Sequence, residues 1–182
     1  MRKTCALLLA GTLLTGATLS AATLAGVTLP DSVQAGGKTL VLNGLGLRSR
    51  MMFKVYVAGL YVEQKSQDGA AIYNADAPKR IVLHFVRDVS NTQIKDAIVD
   101  GFDPAAKQSL KAEIEQFTSA FESFASGDAM TITYVPGTGT QLNVKGQDKL
   151  TVPGFPFARA LFAIWLGDNP PSASLKNGLL GK

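Results

Sequence analysis

The sequence predicts an α+β domain in which helices cover one face of an antiparallel sheet. Three observations carry that prediction. Residues 39–48 and 79–87 alternate apolar and polar side chains, with Leu40 and Leu42 in the first segment and Ile81, Leu83 and Phe85 in the second, as half-buried strands do. Leu110, Ile114, Phe117, Phe121 and Phe124 recur at spacings of four, three, four and three, which puts them on one helical stripe. Alternation then returns after Gly127, around a glycine-rich turn. Strands, then helices, then strands, then helices is a blockwise α+β order rather than a βαβ repeat.

Taken from the N-terminus, the chain begins with a leader. Arg2 and Lys3 precede an apolar run from Ala6 to Leu24, and Thr23-Leu24-Ala25 offers a small-x-small cleavage site, so residues 1–25 read as a secretory signal peptide and residues 26–182 as the domain. Ala22 and Ala35 are further possible cut sites; cutting at Ala35 would remove Val27-Thr28-Leu29-Pro30, which reads as a short strand. The expected location is therefore the periplasm or the exterior, with no stable membrane span after cleavage. Removing 25 of 182 residues leaves 157, enough for one domain with a sizeable core. The leader contains Cys5, the sole cysteine, so the remainder has no disulfide, thiol nucleophile or thiolate metal site. Without Arg2 and Lys3 the 18 basic residues become 16 against 14 acidic, a net of +2 with no basic cluster, which argues against nucleic-acid binding.

Within the domain, residues 39–48 form a strand ending in Gly44-Leu45-Gly46-Leu47-Arg48, and a second apolar strand runs from Phe53 to Val62. A short helix over Gly69–Ala75 is followed by Pro78 and the strand at residues 79–87. Ser90 can cap a helix from Asn91 to Phe102, and Asp103-Pro104 opens the next with a cap and a proline at its first position. Thr131–Val135 and Gln141–Lys145 make a hairpin around Pro136-Gly137-Thr138-Gly139, extended by a strand at Lys149–Val152. Phe155–Leu166 is an aromatic-rich helix holding the only tryptophan, Trp165, with Gly167 as its cap. A last short helix covers Ser174–Leu180.

Arg48 is the residue that frames function. A guanidinium among so many apolar neighbours must reach water, pair with an acid or meet an anionic ligand, because an unpaired buried charge is costly. His84, the only histidine, lies on the strand face opposite Ile81, Leu83 and Phe85, and with no second histidine it supports neither a metal site, a haem site nor a Ser-His-Asp set. No metal and no cofactor are expected.

Gly-x-Gly-x-Arg at 44–48 with the following Phe-Lys-Val-Tyr-Val-Ala-Gly-Leu-Tyr-Val, the strand before Arg87-Asp88, the Tyr134–Gly139 hairpin and the terminal Ile164-Trp165-Leu166-Gly167 resemble the bacterial chalcone isomerase-like family. The resemblance covers essentially the whole domain. It implies an open-faced β-sandwich, a large antiparallel sheet with helices packed on one face and a ligand cleft between them. In the plant isomerases an arginine matching Arg48 works with a threonine, a tyrosine and an asparagine; those three positions fall here at Tyr56 and near Ile94 and Gly101, and a further threonine or serine falls near Ile164. Cyclisation of a chalcone is accordingly not expected. The noncatalytic branch binds fatty acids, with the carboxylate held by the same arginine and a tyrosine, which implies a ligand site of Arg48 with Tyr56 or Tyr61, Tyr56 being preferred. Its apolar lining would come from Ile94, Ile98, Phe157, Leu161 and Trp165. The expected function is an exported protein binding a small amphipathic or fatty acid against Arg48. The alternatives are an isomerase or lyase on an aromatic enone, with Arg48 and Tyr56 as its catalytic groups, and an envelope interaction protein with a vestigial cleft.

Overall fold

The computed structural model describes residues 21–182. The expected leader, with Arg2, Lys3 and Cys5, lies outside the described residues as far as position 20. Its last residues are described: β1 (Ala21–Leu24) pairs antiparallel with β2 (Val27–Pro30). The cut expected after Ala25 would separate these two strands.

Seven further strands form one antiparallel sheet in sequence order: β3 (Ser32–Ala35), β4 (Lys38–Arg50), β5 (Phe53–Val62), β6 (Lys79–Phe85), β7 (Ala129–Val135), β8 (Gly139–Val144) and β9 (Gln147–Val152). Helices α1 (Gly69–Asn74), α2 (Asn91–Gly101), α3 (Pro104–Ser109), α4 (Lys111–Ser119), α5 (Phe155–Leu166) and α6 (Ala173–Leu179) complete the fold. The α+β architecture is the one the sequence predicts. The inner face of the sheet presents Ala58, Leu60, Ile81, Leu83, Met130 and Ile132 to Ile98, Phe117, Phe157, Leu161 and Phe162 of the helices, all buried together. Period-two alternation sends Val57 and Tyr61 to the back of the sheet, where the β1–β2 hairpin covers part of it with Val27 and Leu29.

Local chemistry sets the helix starts. Ser90 accepts from the Gln93 backbone N–H while the Gln93 side chain accepts from the Ser90 N–H, a complete capping box, and Asp103 caps α3 through the Ala106 N–H at 2.9 Å with Pro104 in its first turn. The phenylalanine stripe departs from expectation. Leu110 leaves helical geometry at φ −120° and ψ 27°, α4 ends at Ser119, and Phe121 and Phe124 lie beyond it. Both remain buried, but Phe124 is a bridge residue: its backbone exchanges 2.8 Å hydrogen bonds with Val89, and its ring stacks on Phe85 with centroids 4.2 Å apart. Burial alone fixed the stripe, and it is satisfied on either side of a helix end.

Two register shifts position the site. The β4–β5 pairing steps between Leu42 and Gly44, leaving Asn43 as the extra residue, and between Arg48 and Ser49, leaving Val55 extra on β5. Upstream of Asn43 the even-numbered Leu40 and Leu42 pack on the back of the sheet; downstream it is Leu45 and Leu47 that do so. The bulge thus reverses the parity of β4 and brings Gly44, Gly46 and Arg48 to the inner face. Asn43 is buried and fully engaged: its Nδ2 donates to the carbonyls of Leu179 (2.7 Å) and Ser66 (3.0 Å), and its Oδ1 accepts from the Ser66 N–H (2.7 Å). Gly44 and Gly46 then face α6, where any Cβ would run into the carbonyls of Gly178 and Leu175. The absence of a Cβ at both positions is what lets the last helix lie directly on this strand.

Candidate functional site

A cleft of about 740 Å³ opens between the ends of β4, β5 and β6, helix α2, the C-terminal half of α5 and the Asn169–Pro171 turn. Arg48, Tyr56 and Phe85 form its floor. They are consecutive cross-strand partners on β4, β5 and β6, so one row of the sheet carries a cation, a phenol and an aromatic face side by side. Tyr56 meets Phe85 edge-on at 6.0 Å. The second bulge turns Val55 toward the cleft together with Tyr56, which strict alternation would forbid. The walls are mainly carbon, from Leu83, Ile94, Ala97, Ile98 and Ile164, and Arg50, Arg87, Asp88 and Asp100 stand among the lining residues.

Arg48 is half-buried and its Nη1 donates to the carbonyls of Pro171 (2.7 Å) and Ser49 (3.0 Å). No ion pair among the described residues includes it. Neutral carbonyls orient a guanidinium without cancelling its charge, so a positive charge faces a cleft whose walls are mainly carbon. Tyr56 is 7% exposed, and its hydroxyl accepts a 3.2 Å hydrogen bond from Nε1 of the buried Trp165. Because it is the acceptor there, and donates to no described residue, its own proton is left for a ligand. Burial pushes this phenol up to about 12, against the opposing pull of the Trp165 hydrogen bond and the Arg48 charge, so it stays protonated at neutral pH.

The chain matches the family model described as chalcone isomerase-like over residues 21–181. The chain belongs to the chalcone isomerase-like family. Among solved structures, a fatty-acid binding protein of Arabidopsis thaliana aligns with a TM-score of 0.71 over 88% of this chain and 96% of its own, at 16% sequence identity. At that identity the likeness speaks to the fold alone. No curated protein matches the chain by sequence.

The positions that align with the plant isomerases' catalytic residues all line this one cleft, Arg48, Tyr56, Ile94, Gly101 and Ile164, joined by the expected lining residues Ile98 and Trp165. Gly101 is tightly placed, since a Cβ there would come within 2.6 Å of Ile164 Cγ2. Three expected ligand residues lie elsewhere. Tyr61 is on the back of the sheet, five residues and hence one face away from Tyr56, and its hydroxyl donates to the Pro30 carbonyl at 2.9 Å. Phe157 and Leu161 are fully buried on the side of α5 that packs into the core, whereas Ile164 and Trp165, further along the same helix, reach the cleft. Asn43 and Val55, the bulge residues that aim the floor, were not picked out from sequence. A polar residue inside an apolar strand was the available signal for Asn43; Val55 left none.

Among the described residues no cluster of histidine, cysteine, aspartate and glutamate suited to a metal ion is found, and no helix is long and apolar enough to cross a membrane.

Proposed function

We propose that the protein binds a small amphipathic acid, a fatty acid being the natural case, with its carboxylate on Arg48 and Tyr56 and its chain along the apolar wall of the cleft. The observation that carries this reading is the direction of one hydrogen bond: Trp165 donates to Tyr56, so the phenol proton is free beside a guanidinium held only by carbonyls. A carboxylate accepts from both at once, and charge-assisted bonds of this type are about twice as strong as neutral ones. The volume falls within the usual range for small-molecule sites, and the surface of the lining is mainly apolar, as in such sites. The fold shared with the Arabidopsis thaliana fatty-acid binding protein supports the same ligand class.

The isomerase alternative gains less support. The positions where a catalytic set would add further hydroxyls and an amide hold Ile94, Gly101 and Ile164, which bring only carbon to the cleft.

Export is part of the proposal: residues 1–25 direct the chain out of the cytoplasm and the binding domain acts beyond the membrane. The basic, apolar and small-residue pattern of the leader supports this. N-terminal sequencing of exported protein locates the cut among Ala22, Ala25 and Ala35.

Native mass spectrometry followed by denaturing extraction tests the binding reading. The expected result is an adduct of fatty-acid mass on the wild-type protein that is absent from a folded Arg48→Ala variant. An empty wild-type protein that also shows no affinity for added palmitate would refute it.

A further inference from the structure

The β4–β5 hairpin ends in an exposed apolar tip beside the cleft mouth. Met51, Met52 and Phe53 are 83%, 98% and 63% exposed, the large hydrophobic side chains that stand out in solvent among the described residues. Solvent-facing apolar groups set in a polar rim mark interaction sites. The rim is basic: Arg50 and Lys54 flank the tip, and the Arg87 guanidinium lies 5.2 Å from the centre of the Phe53 ring. Two acids, Asp88 and Asp100, share the cleft lining with Arg50 and Arg87, and Asp88 Oδ1 is engaged by the Ser126 N–H at 3.0 Å.

The turn chemistry is the second, independent observation. Arg50 pairs with Phe53, so Met51 and Met52 are the two residues of a tight hairpin turn, and both sit in left-handed backbone at φ 48° and 66°. That conformation suits Asn-Gly and is disfavoured for a side-chain-bearing residue such as methionine. A strained turn that also exposes two apolar side chains satisfies neither local stability nor solubility, which points to a task outside the domain.

We propose that this tip inserts into an anionic lipid surface, with Arg50, Lys54 and Arg87 on the headgroups and the cleft mouth held against the membrane. Methionine and phenylalanine suit the acyl boundary, and a basic rim complements anionic headgroups. Arg50, Met51, Phe53 and Arg87 also line the cleft, so docking would let an acyl chain pass between bilayer and cleft with little exposure to water. The docking does not depend on the cleft's ligand, and its test uses none.

Sedimentation with vesicles of phosphatidylcholine and phosphatidylglycerol, compared with phosphatidylcholine alone, provides the test. Wild-type protein should favour the anionic vesicles, and added salt should weaken its binding. The double substitution M51N/M52G installs the residues that the turn prefers, so it should fold with an equal or higher Tm while partitioning at least about tenfold less onto vesicles. Both proteins carry the same N-terminus, so any contribution from the leader cancels. Equal partitioning of the two proteins, or no preference for anionic vesicles, would overturn the proposal. Self-association of wild type without vesicle binding would overturn it too and give the tip to a second copy.

Discussion

Arg48 and Lys79 are both cations on the inner face of one sheet, and their surroundings differ in kind. Lys79 is closed in: it is 2% exposed, its Nζ donates to the Ala75 carbonyl at 2.6 Å, and it lies 4.9, 5.5 and 5.7 Å from the ring centres of Tyr134, Phe155 and Phe162. Asp76, beside it, accepts the Tyr134 hydroxyl. Burial pushes the ammonium down to about 8, with Asp76 opposing. Every direction around Lys79 is filled by protein. Arg48 has two carbonyls on one nitrogen and an apolar cleft before the rest. Protein closes the surroundings of Lys79 on every side, whereas those of Arg48 are open toward the cleft.

Reversing the charge of the open cation should have the largest effect. Arg48→Glu should lower affinity for palmitate on the order of 100-fold or more, since attraction becomes repulsion, with only a modest fall in Tm from the lost bonds to the Pro171 and Ser49 carbonyls. Isothermal titration and thermal melts of one preparation check both. Next in size is Ala97→Trp. Ala97 is an exposed residue of the cleft wall, so the indole should enter the cleft without disturbing the core and weaken palmitate roughly tenfold while a short-chain acid is less affected. Tyr56→Phe removes one donor and should weaken acid binding about three- to tenfold. It also leaves the buried Trp165 N–H without its partner, at a cost to stability of about 1–3 kcal/mol, which denaturant unfolding reads directly.

The smallest effect on binding belongs to the closed cation. Lys79→Met should leave acid affinity unchanged and alter only the pH profile of stability. The folded-state value near 8 lies below the 10.5 of the free side chain, so the unfolded chain binds the extra proton between them and wild-type stability rises from about pH 8 to pH 10.5. Tyr56, Tyr61 and Tyr134 act in the opposite sense: burial pushes each up to about 12 from 10.0, so the folded state keeps protons that the unfolded chain releases, and stability falls as pH climbs from 10 toward 12. Thermal melts should therefore peak near pH 10 in the wild type. The rise below the peak should vanish in Lys79→Met. A rise that persists would place its origin elsewhere.

Much of this was legible from residue pattern alone, and the particular failures are instructive. Alternation around Ile81, Leu83 and Phe85, the Ser90 and Asp103 caps and the glycine-rich turn after Val135 each report a local rule that tertiary packing left intact. The phenylalanine stripe misled because periodicity registers burial and not helicity, and Phe124 reaches its buried place as a bridge residue instead. The cleft was partly legible: Arg48 stood out as a charge among apolar neighbours, and the family resemblance offered Tyr56 or Tyr61 beside it, of which the strand register makes Tyr56 the partner. Tyr61 could be set aside only once its side of the sheet was known. Alternation fixes relative faces but not which face meets the helices, and the bulge at Asn43 changes that parity within β4. The aromatic cage of Lys79 joins β6 to β7 and α5, a convergence that no single segment announces.

Recognition of a carboxylate by Arg48 has a signature that no other role of the residue shares. It is tested most directly by a two-by-two comparison: wild type and Arg48→Ala, each titrated with palmitate and with the alcohol of the same chain length. The expected result is a marked preference of wild type for the acid, about 10- to 100-fold from the charge-assisted bonds, that collapses in Arg48→Ala while alcohol affinity stays the same. Equal losses for acid and alcohol in Arg48→Ala would contradict it and make Arg48 a support for the Pro171 turn alone.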